Sequence, residues 1–153
     1  MNDVGRGQAR ETAKLVAKHK FDRIISSDLS RARETAEIIG KHISIEVEID
    51  PRIREFNMGD MQGRIGKEIP EADWTLFRKD RRKYNAETLQ EIYTRVRNFL
   101  ENIKNSNNIL VVTHSGTLKM MFFCARHDEF DENKFAEYFH ATKFENACLV
   151  EWK

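Results

Sequence analysis

The chain has 153 residues and a mass of 18.0 kDa, which is the size of one ordinary domain with its own hydrophobic core. Apolar residues make up 40% and charged residues 33% of the sequence, a composition typical of a soluble globular protein and not of a disordered or fibrous one. The 26 Lys and Arg residues nearly balance the 25 Asp and Glu residues, so no overall charge favours nucleic acid or a membrane surface, and any anion site must be built locally.

The termini and cysteines indicate an intracellular protein. No stretch approaches the roughly 20 apolar residues that a membrane-spanning helix needs, and residues 1–11 are polar, without the apolar region of a signal peptide. Cys124 and Cys148 lack the spacing of a metal site, and we interpret them as two reduced thiols. We therefore expect a cytoplasmic location.

The first part of the chain predicts helices and strands in alternation. Apolar residues spaced three and four apart predict helices over residues 7–19 and 29–39. Residues 21–27 are predicted to form a short strand between them. Strict alternation of apolar and polar residues predicts a half-buried strand over 43–49.

The rest of the chain begins with an irregular loop that contains three glycines. A short helix, a long helix, a buried strand, another helix and a last strand are predicted to follow. The loop is predicted at residues 52–66, the short helix at 68–78 and the long helix at 86–104. The buried strand is predicted at 109–113, the next helix from 116 onward and the last strand at 147–152.

Helices that alternate with strands predict a layered α/β/α domain with a mostly parallel sheet, a single domain over residues 1–153. Ligands of such sheets usually bind beyond the carboxyl ends of the strands. Two predicted strands end in suitable polar residues, one near Ser27 and the other at Thr113-His114-Ser115-Gly116.

His114 is the first candidate residue. A buried predicted strand delivers it to the carboxyl end, and Gly116 lets the backbone turn sharply into a helix. The first N–H groups of that helix, which begins near Ser115, are free to bind an anion. Taken alone, the histidine is equally consistent with an ordinary strand–helix turn.

Arg31 and Glu55 are the other two candidates. Arg31 lies in the first turn of the helix after strand 21–27, and its planar guanidinium suits phosphate. Glu55 lies in the glycine-containing loop, where a carboxyl group at a crevice can serve as general acid and base if its pKa is raised. Taken singly, an arginine paired with Glu34 or Asp28 and a solvated loop glutamate are the better interpretations.

Three motifs in order change that assessment. They are SSDLSRARETA at residues 26–36, REF at 54–56 with glycines after it, and VVTHSG at 111–116. In this order they resemble the histidine phosphatase superfamily, also called the phosphoglycerate-mutase-like family. Residues 2–9, 85–88 and 144–152 resemble further segments of the family, so the resemblance covers essentially the whole chain.

The resemblance implies roles for four residues. Arg31 and His114 would bind the phosphoryl group together with the helix start at Ser115, and Glu55 would donate a proton to the leaving oxygen. The implied reaction is hydrolysis of small-molecule phosphate monoesters through phosphohistidine. No cofactor or metal is implied, and the sequence contains no cluster with metal-ligand spacing. We expect neither nucleic acid nor membrane as a partner.

The chain also departs from the family. An N-terminal strand there ends in Arg-His-Gly, whose histidine attacks the phosphorus, and no Arg-His-Gly occurs in these 153 residues. We therefore expect an N-terminally incomplete domain that lacks its first strand and its nucleophile, and that has little or no activity. Gly59-Asp60-Met61-Gln62-Gly63 also stands where many small phosphatases have Gly-Glu-Trp-Glu-Gly.

Three hypotheses remain open. The chain is a shortened phosphomonoesterase, a non-catalytic relative that binds phosphate or a partner, or a mutase that moves phosphate within one substrate. The short spacing from Glu55 to His114 resembles the small phosphatase branch, because the mutases carry a longer insertion there.

The missing strand predicts an open sheet edge. In the family that strand is paired on both sides, so its absence leaves backbone N–H and C=O groups unmatched. Residues 109–113 are the expected edge, since their apolar character suits burial. We expect self-association through this edge or reduced stability.

Overall fold

In the computed structural model of the protein, residues 1–151 are described, and they form three strands and six α-helices. The strands are β1 (Arg23–Ser26), β2 (Val47–Ile49) and β3 (Ile109–Val112). The helices are α1 (Asp3–Val16), α2 (Ser30–Ile43), α3 (Glu71–Lys79), α4 (Leu89–Ile103), α5 (Ser115–Arg126) and α6 (Glu132–Ala141). Short 3₁₀ turns lie at Pro51–Ile53, Gly59–Met61, Gly66–Glu68 and Arg81–Tyr84.

The three strands form one parallel sheet in the order β2-β1-β3. β1 is the central strand, and its Ile25 lies opposite Glu48 of β2 and Val111 of β3. The predicted α/β class with a parallel sheet is confirmed. β3 lies at the edge of the sheet that residues 1–151 form.

Helices cover both faces of the sheet, because successive side chains of a strand point to opposite sides. On one face, Ile24 of β1 packs in a cluster with Val16 of α1 and Ile39 of α2. On the other face, Ile25 packs in a cluster that includes Phe123 of α5. The arrangement is a layered α/β/α fold, as the sequence predicts.

The second strand is shorter than the sequence predicts. Residues 43–49 alternate in polarity, but α2 continues to Ile43, and Ser44 ends it in the left-handed conformation with φ 60°. Only Val47–Ile49 pair with β1. Alternation misleads here because Ile43 and Ile45 reach the core from a helix end and a loop instead of from a strand.

The last predicted strand, residues 147–152, does not form among its described members. Residues 147–151 are exposed and do not form a strand, and Trp152 lies outside the described residues. A strand needs a neighbour to complete its backbone hydrogen bonds, and none of the three strands of the sheet pairs with this segment. The Thr12 hydroxyl instead holds this segment by donating to the carbonyl oxygen of Ala147 at 3.0 Å.

Both cysteines are free, Cys124 in the core and Cys148 at the surface. Burial raises the pKa of the Cys124 thiol to about 12, so this thiol stays protonated at neutral pH. Among the helices of residues 1–151, none combines the length and the apolar character needed to cross a membrane.

The loop after β2 packs against the Arg81–Tyr84 turn. Gly59 has a φ of +53°, and a Cβ atom there would lie 1.9 Å from the carbonyl oxygen of Tyr84. Asp60 accepts hydrogen bonds from the side-chain amide of Asn85 at 3.1 and 3.2 Å. The close approach therefore requires glycine at position 59.

The substitutions Gly59→Ala and Gly63→Ala separate backbone strain from steric clash. Both residues have a positive φ, so each alanine should cost on the order of 1 kcal/mol of the free energy of unfolding. Gly59→Ala should cost several-fold more, because its Cβ meets the backbone of the turn whereas that of Gly63 faces open space. Urea unfolding of the two variants measures the difference, and equal losses would contradict this packing of the loop.

Candidate active site

The carboxyl ends of β1 and β3 bring the main polar residues together. Because the strands are parallel and Ser26 lies opposite Val112, the residues that follow them, Ser27 and His114, emerge at the same edge of the sheet. Ser27 is fully buried and His114 is 7% exposed. α2 and α5 begin at this edge.

His114 is held by two hydrogen bonds. Its Nδ1 lies 3.1 Å from Nε of Arg31, and its Nε2 lies 2.9 Å from Oγ of Ser27. Arginine can only donate, so Nδ1 is the acceptor and the ring proton is assigned to Nε2, which donates to Ser27. The imidazole is therefore neutral in this arrangement.

The surroundings of His114 favour the same neutral form. Burial, and then the positive charge of Arg31, lower the pKa of His114 to about 4, against the smaller opposing effect of Glu55. Since an ordinary histidine titrates near pH 6.5, this ring remains uncharged over the whole range around neutrality.

Glu55 lies at the N-terminus of α5. Its Oε1 accepts from the backbone N–H groups of Phe56 and Thr117, both at 3.1 Å, and its Oε2 accepts from that of Gly116 at 3.3 Å. A Cβ atom on Gly116 would lie 2.6 Å from Oε1, so glycine is needed for this contact. These hydrogen bonds hold the Glu55 carboxyl group against the first turn of α5.

Neither alternative partner of Arg31 engages it. Asp28 pairs with Arg54, whose Nε donates to Oδ1 at 3.0 Å, and this pairing lowers the pKa of Asp28. Glu34 accepts from Nε of Arg6 at 2.6 Å. Arg31 is therefore directed toward His114 instead of a carboxylate.

The four residues singled out from the sequence, Arg31, Glu55, His114 and Ser115, all line one cleft of about 1340 Å³. The guanidinium, the imidazole N–H and the helix start are the kinds of donor that bind and polarise a phosphoryl group. Within residues 1–151, no group of three or more His, Cys, Asp or Glu side chains is arranged to hold a metal ion.

The sequence did not indicate the positioning roles of two residues, Ser27 and Thr117. Ser27, which orients His114, is a second polar residue at the end of a strand, and the parallel pairing could have indicated its position. Thr117 is fully buried, and its hydroxyl donates to the carbonyl oxygen of Arg54 at 2.7 Å. It thereby fixes the loop that carries Glu55 to α5, and no sequence pattern marks it.

Comparisons with known proteins identify the family to which the chain belongs. The model of the histidine phosphatase superfamily (branch 1) matches residues 1–151. Phosphoglycerate mutase-like protein 4 of Arabidopsis thaliana is 37% identical over 139 residues, which cover 82% of this chain and 60% of that protein. The adenosylcobalamin/alpha-ribazole phosphatase of Salmonella typhimurium is 27% identical over 130 residues, which cover 79% of this chain and 64% of that protein. The chain thus spans less than two thirds of the length of these two relatives.

A solved structure is similar over nearly all of the chain. The mycobacterial glucosyl-3-phosphoglycerate phosphatase in complex with VO3 matches with a TM-score of 0.76 and 25% sequence identity. The match covers 95% of this chain and 75% of that one. This similarity supports the α/β/α fold described above.

The depressed pKa of His114 predicts a pH-dependent stability. Below about pH 6.5 His114 of the unfolded chain takes up a proton, whereas His114 of the folded chain takes it up only near pH 4. The contribution of neutral His114 to the free energy of unfolding is therefore complete above about pH 6.5 and is lost as the pH falls toward 4. Between about pH 7 and pH 4.5 we expect a loss of about 2 to 3 kcal/mol in the free energy of unfolding.

Urea unfolding at the two pH values tests this expectation with His114→Gln, which removes the titrating group. His42→Gln, at an exposed position, is the matched control. The first variant should lose this part of the pH dependence and the second should retain it. An unchanged pH dependence in His114→Gln would contradict the assigned pKa.

Proposed function

The chain belongs to the histidine phosphatase superfamily, branch 1, and from this premise we propose that its site binds the phosphoryl group of small-molecule phosphate monoesters and serves their hydrolysis. The observation that carries the proposal is the convergence of Arg31, His114 and Glu55 at one edge of the sheet. Relatives named as phosphatases support the reaction class.

Arg31 and His114 form the anion-binding part of the site. The phosphoryl oxygens would accept hydrogen bonds from the Arg31 guanidinium and from Nε2–H of His114, which donates to Ser27 in this structure. A fixed positive charge and oriented donors stabilise the charge that develops on a phosphoryl group in transfer. Ser115, exposed at the start of α5, adds a hydroxyl and a helix N-terminus at the same place.

Glu55 is the proposed proton donor. It is half-buried, lines the same cleft as Arg31 and His114, and is tied to α5 by the backbone N–H groups of Gly116 and Thr117. A carboxyl group placed beside the bound ester can protonate the leaving oxygen as the bond to phosphorus breaks. These hydrogen bonds hold the carboxyl group in one place, and a general acid must lie within hydrogen-bond reach of the oxygen that it protonates.

The nucleophile is the missing part of this proposal. A phosphohistidine mechanism needs a second histidine, and His19 precedes the amino end of β1, at the opposite edge of the sheet from His114. His42 and His140 are exposed, and His127 stacks on Phe123 with ring centroids 4.3 Å apart. We infer that this 153-residue chain alone has little or no phosphatase activity.

A non-catalytic phosphate-binding role is the second candidate function. It is favoured by the same absence of an Arg-His-Gly tripeptide, together with an intact pair of Arg31 and His114. A mutase activity is the third candidate function, and the similarity to phosphoglycerate mutase-like protein 4 supports it. The short spacing between Glu55 and His114 favours the phosphatase.

Anion binding is the direct test of the site. We expect the chain to bind phosphate or vanadate in the millimolar range, about −4 kcal/mol, and Arg31→Ala to abolish this binding. Arg33→Ala is the matched control, because Arg33 is exposed and its Nε donates to Glu37 at 2.8 Å on the outer side of α2. Titration followed by the NMR signals of the His114 ring measures both. Equal losses from the two substitutions would mean that binding is a diffuse charge effect.

Hydrolysis of p-nitrophenyl phosphate between about pH 5 and pH 8 tests whether this chain lacks a catalytic nucleophile. We expect turnover at least about a thousandfold below the ordinary range of 1–10³ s⁻¹, because losing a nucleophile removes most of the rate enhancement. Acid-labile phosphohistidine should be absent. Turnover within about tenfold of that range, lost in His114→Ala and kept in His42→Ala, would show that another histidine has taken over as nucleophile and would contradict this inference.

A further inference from the structure

Residues 52–57, here called the Glu55 loop, are held by groups from several other parts of the fold. Three consecutive carbonyl oxygens of this loop accept hydrogen bonds from side chains of α4, of the residue after β3 and of α5. The donor–acceptor pairs are Arg95 to Arg52 at 2.6 Å, Thr113 to Ile53 at 2.7 Å and Thr117 to Arg54 at 2.7 Å. Loops are ordinarily more mobile than the elements that they connect, so these bonds restrain the backbone next to Glu55.

One ion pair binds both ends of the Glu55 loop. Nε and Nη2 of Arg95 donate to the two carboxylate oxygens of Glu87 at 2.6 and 3.0 Å, and the two side chains are only 18% and 19% exposed. Nη1 of Arg95 is then directed at the carbonyl oxygen of Arg52, at one end of the loop. At the other end, Oε2 of Glu87 accepts from the N–H group of Asn57 at 3.4 Å, and the N–H group of Glu87 donates to the carbonyl oxygen of Asn57 at 3.0 Å. Glu55 lies between these two attachments.

Helix α4 has its own start and its own packing without this ion pair. Thr88 caps the helix, because its hydroxyl oxygen accepts from the N–H group of Glu91 at 3.2 Å and the Glu91 carboxylate accepts from the N–H group of Thr88 at 2.9 Å. Ile92, Val96 and Phe99 bury the apolar side of the helix completely. Outside the pair itself, both charged side chains bond to the Glu55 loop.

The opposite side of the Glu55 loop rests on α5. The Thr117 hydroxyl binds the carbonyl oxygen of Arg54, and the N–H groups of Gly116 and Thr117 donate to the Glu55 carboxyl group. The loop therefore lies between α4 and α5. Release of the loop from α4 would let the carboxyl group leave the N–H groups of α5.

We propose that Arg95 and Glu87 are positioning residues for Glu55, and that their ion pair holds residues 52–57 so that the carboxyl group stays on the first turn of α5. Neither side chain lines the cleft that holds the phosphate-binding residues, so the pair acts through the loop. Arginine suits this place because its planar fork binds the carboxylate with two N–H groups and keeps a third for the loop, which a single ammonium group does not match. The significance for proton transfer rests on the proposed function, whereas the hold on the loop does not.

The substitutions Arg95→Lys and Glu87→Asp test the pair without removing a charge. Lysine keeps the positive charge but lacks the fork, and aspartate keeps the negative charge on a side chain that is one methylene shorter. Neither substitution leaves a buried charge without its partner, so both variants should fold. Arg82→Lys is the matched control, because Arg82 is 69% exposed and donates to Glu91 at 2.9 Å.

Amide hydrogen exchange at the three N–H groups that donate to Glu55 measures the hold on its carboxyl group. Exchange there should be at least about tenfold faster in Arg95→Lys and in Glu87→Asp, and unchanged in Arg82→Lys. The amide of Phe99, which is fully buried in α4, reports opening of the whole fold and should speed up by less than these three.

The carbon-13 signal of the Glu55 carboxyl group, assigned by its loss in Glu55→Gln, is the second measurement. A pair that only stabilised the fold would lower the urea midpoint without moving this signal in the folded protein, whereas a positioning pair moves it. Thr117→Val removes the bond to the carbonyl oxygen of Arg54 on the side of α5 and leaves the ion pair intact. It should speed exchange at the same three amides.

Four results would overturn the proposal. They are unchanged exchange at the three amides in either variant of the pair, an equal increase in Arg82→Lys, an equal increase at Phe99 and an unmoved Glu55 signal. Failure of the unsubstituted chain to bind phosphate would overturn the proposed function and bears on none of these four results, so the two proposals fail separately.

Discussion

The register between β1 and β3 is the constraint on which the site depends. Ser26 pairs with Val112, and this pairing sets Ser27 and His114 side by side at the carboxyl edge. The two helices that carry Arg31 and Gly116 start from the same edge. A shift of one residue would turn the side chains of β3 to the opposite faces and would separate the imidazole from both of its partners.

The site holds the Arg31 guanidinium, the neutral ring of His114 and the Glu55 carboxyl group at separate positions in one cleft. Arg31 would repel an imidazolium, and burial already disfavours one, so His114 stays neutral and accepts from the arginine. The carboxyl group of Glu55 lies instead at the N-terminus of α5, where it accepts hydrogen bonds from backbone N–H groups. An incoming phosphoryl group would find a cation, a neutral donor and a fixed carboxyl group in one cleft.

The open edge of β3 explains the largest difference between the sequence and the structure. The 147–152 pattern predicts a strand, and its described residues remain a coil because a strand exists only with a neighbour to share its hydrogen bonds. The same edge leaves β3 half-exposed although its sequence suits full burial. The unpaired edge of β3 thus accompanies both the coil at residues 147–151 and the open part of the cleft beside this strand.

The sequence by itself determined the fold class, the order of the first five helices and the motifs around Arg31, Glu55 and His114, because periodicity and residue type are local properties of the chain. It did not indicate the sixth helix, Glu132–Ala141. Only the tertiary structure decided the contacts. Strand register and helix packing set three of these contacts. His114 forms a hydrogen bond with Ser27, Asp28 pairs with Arg54 and not with Arg31, and Glu55 contacts the start of α5. These contacts join residues 26 to 87 positions apart, a separation at which no local pattern operates.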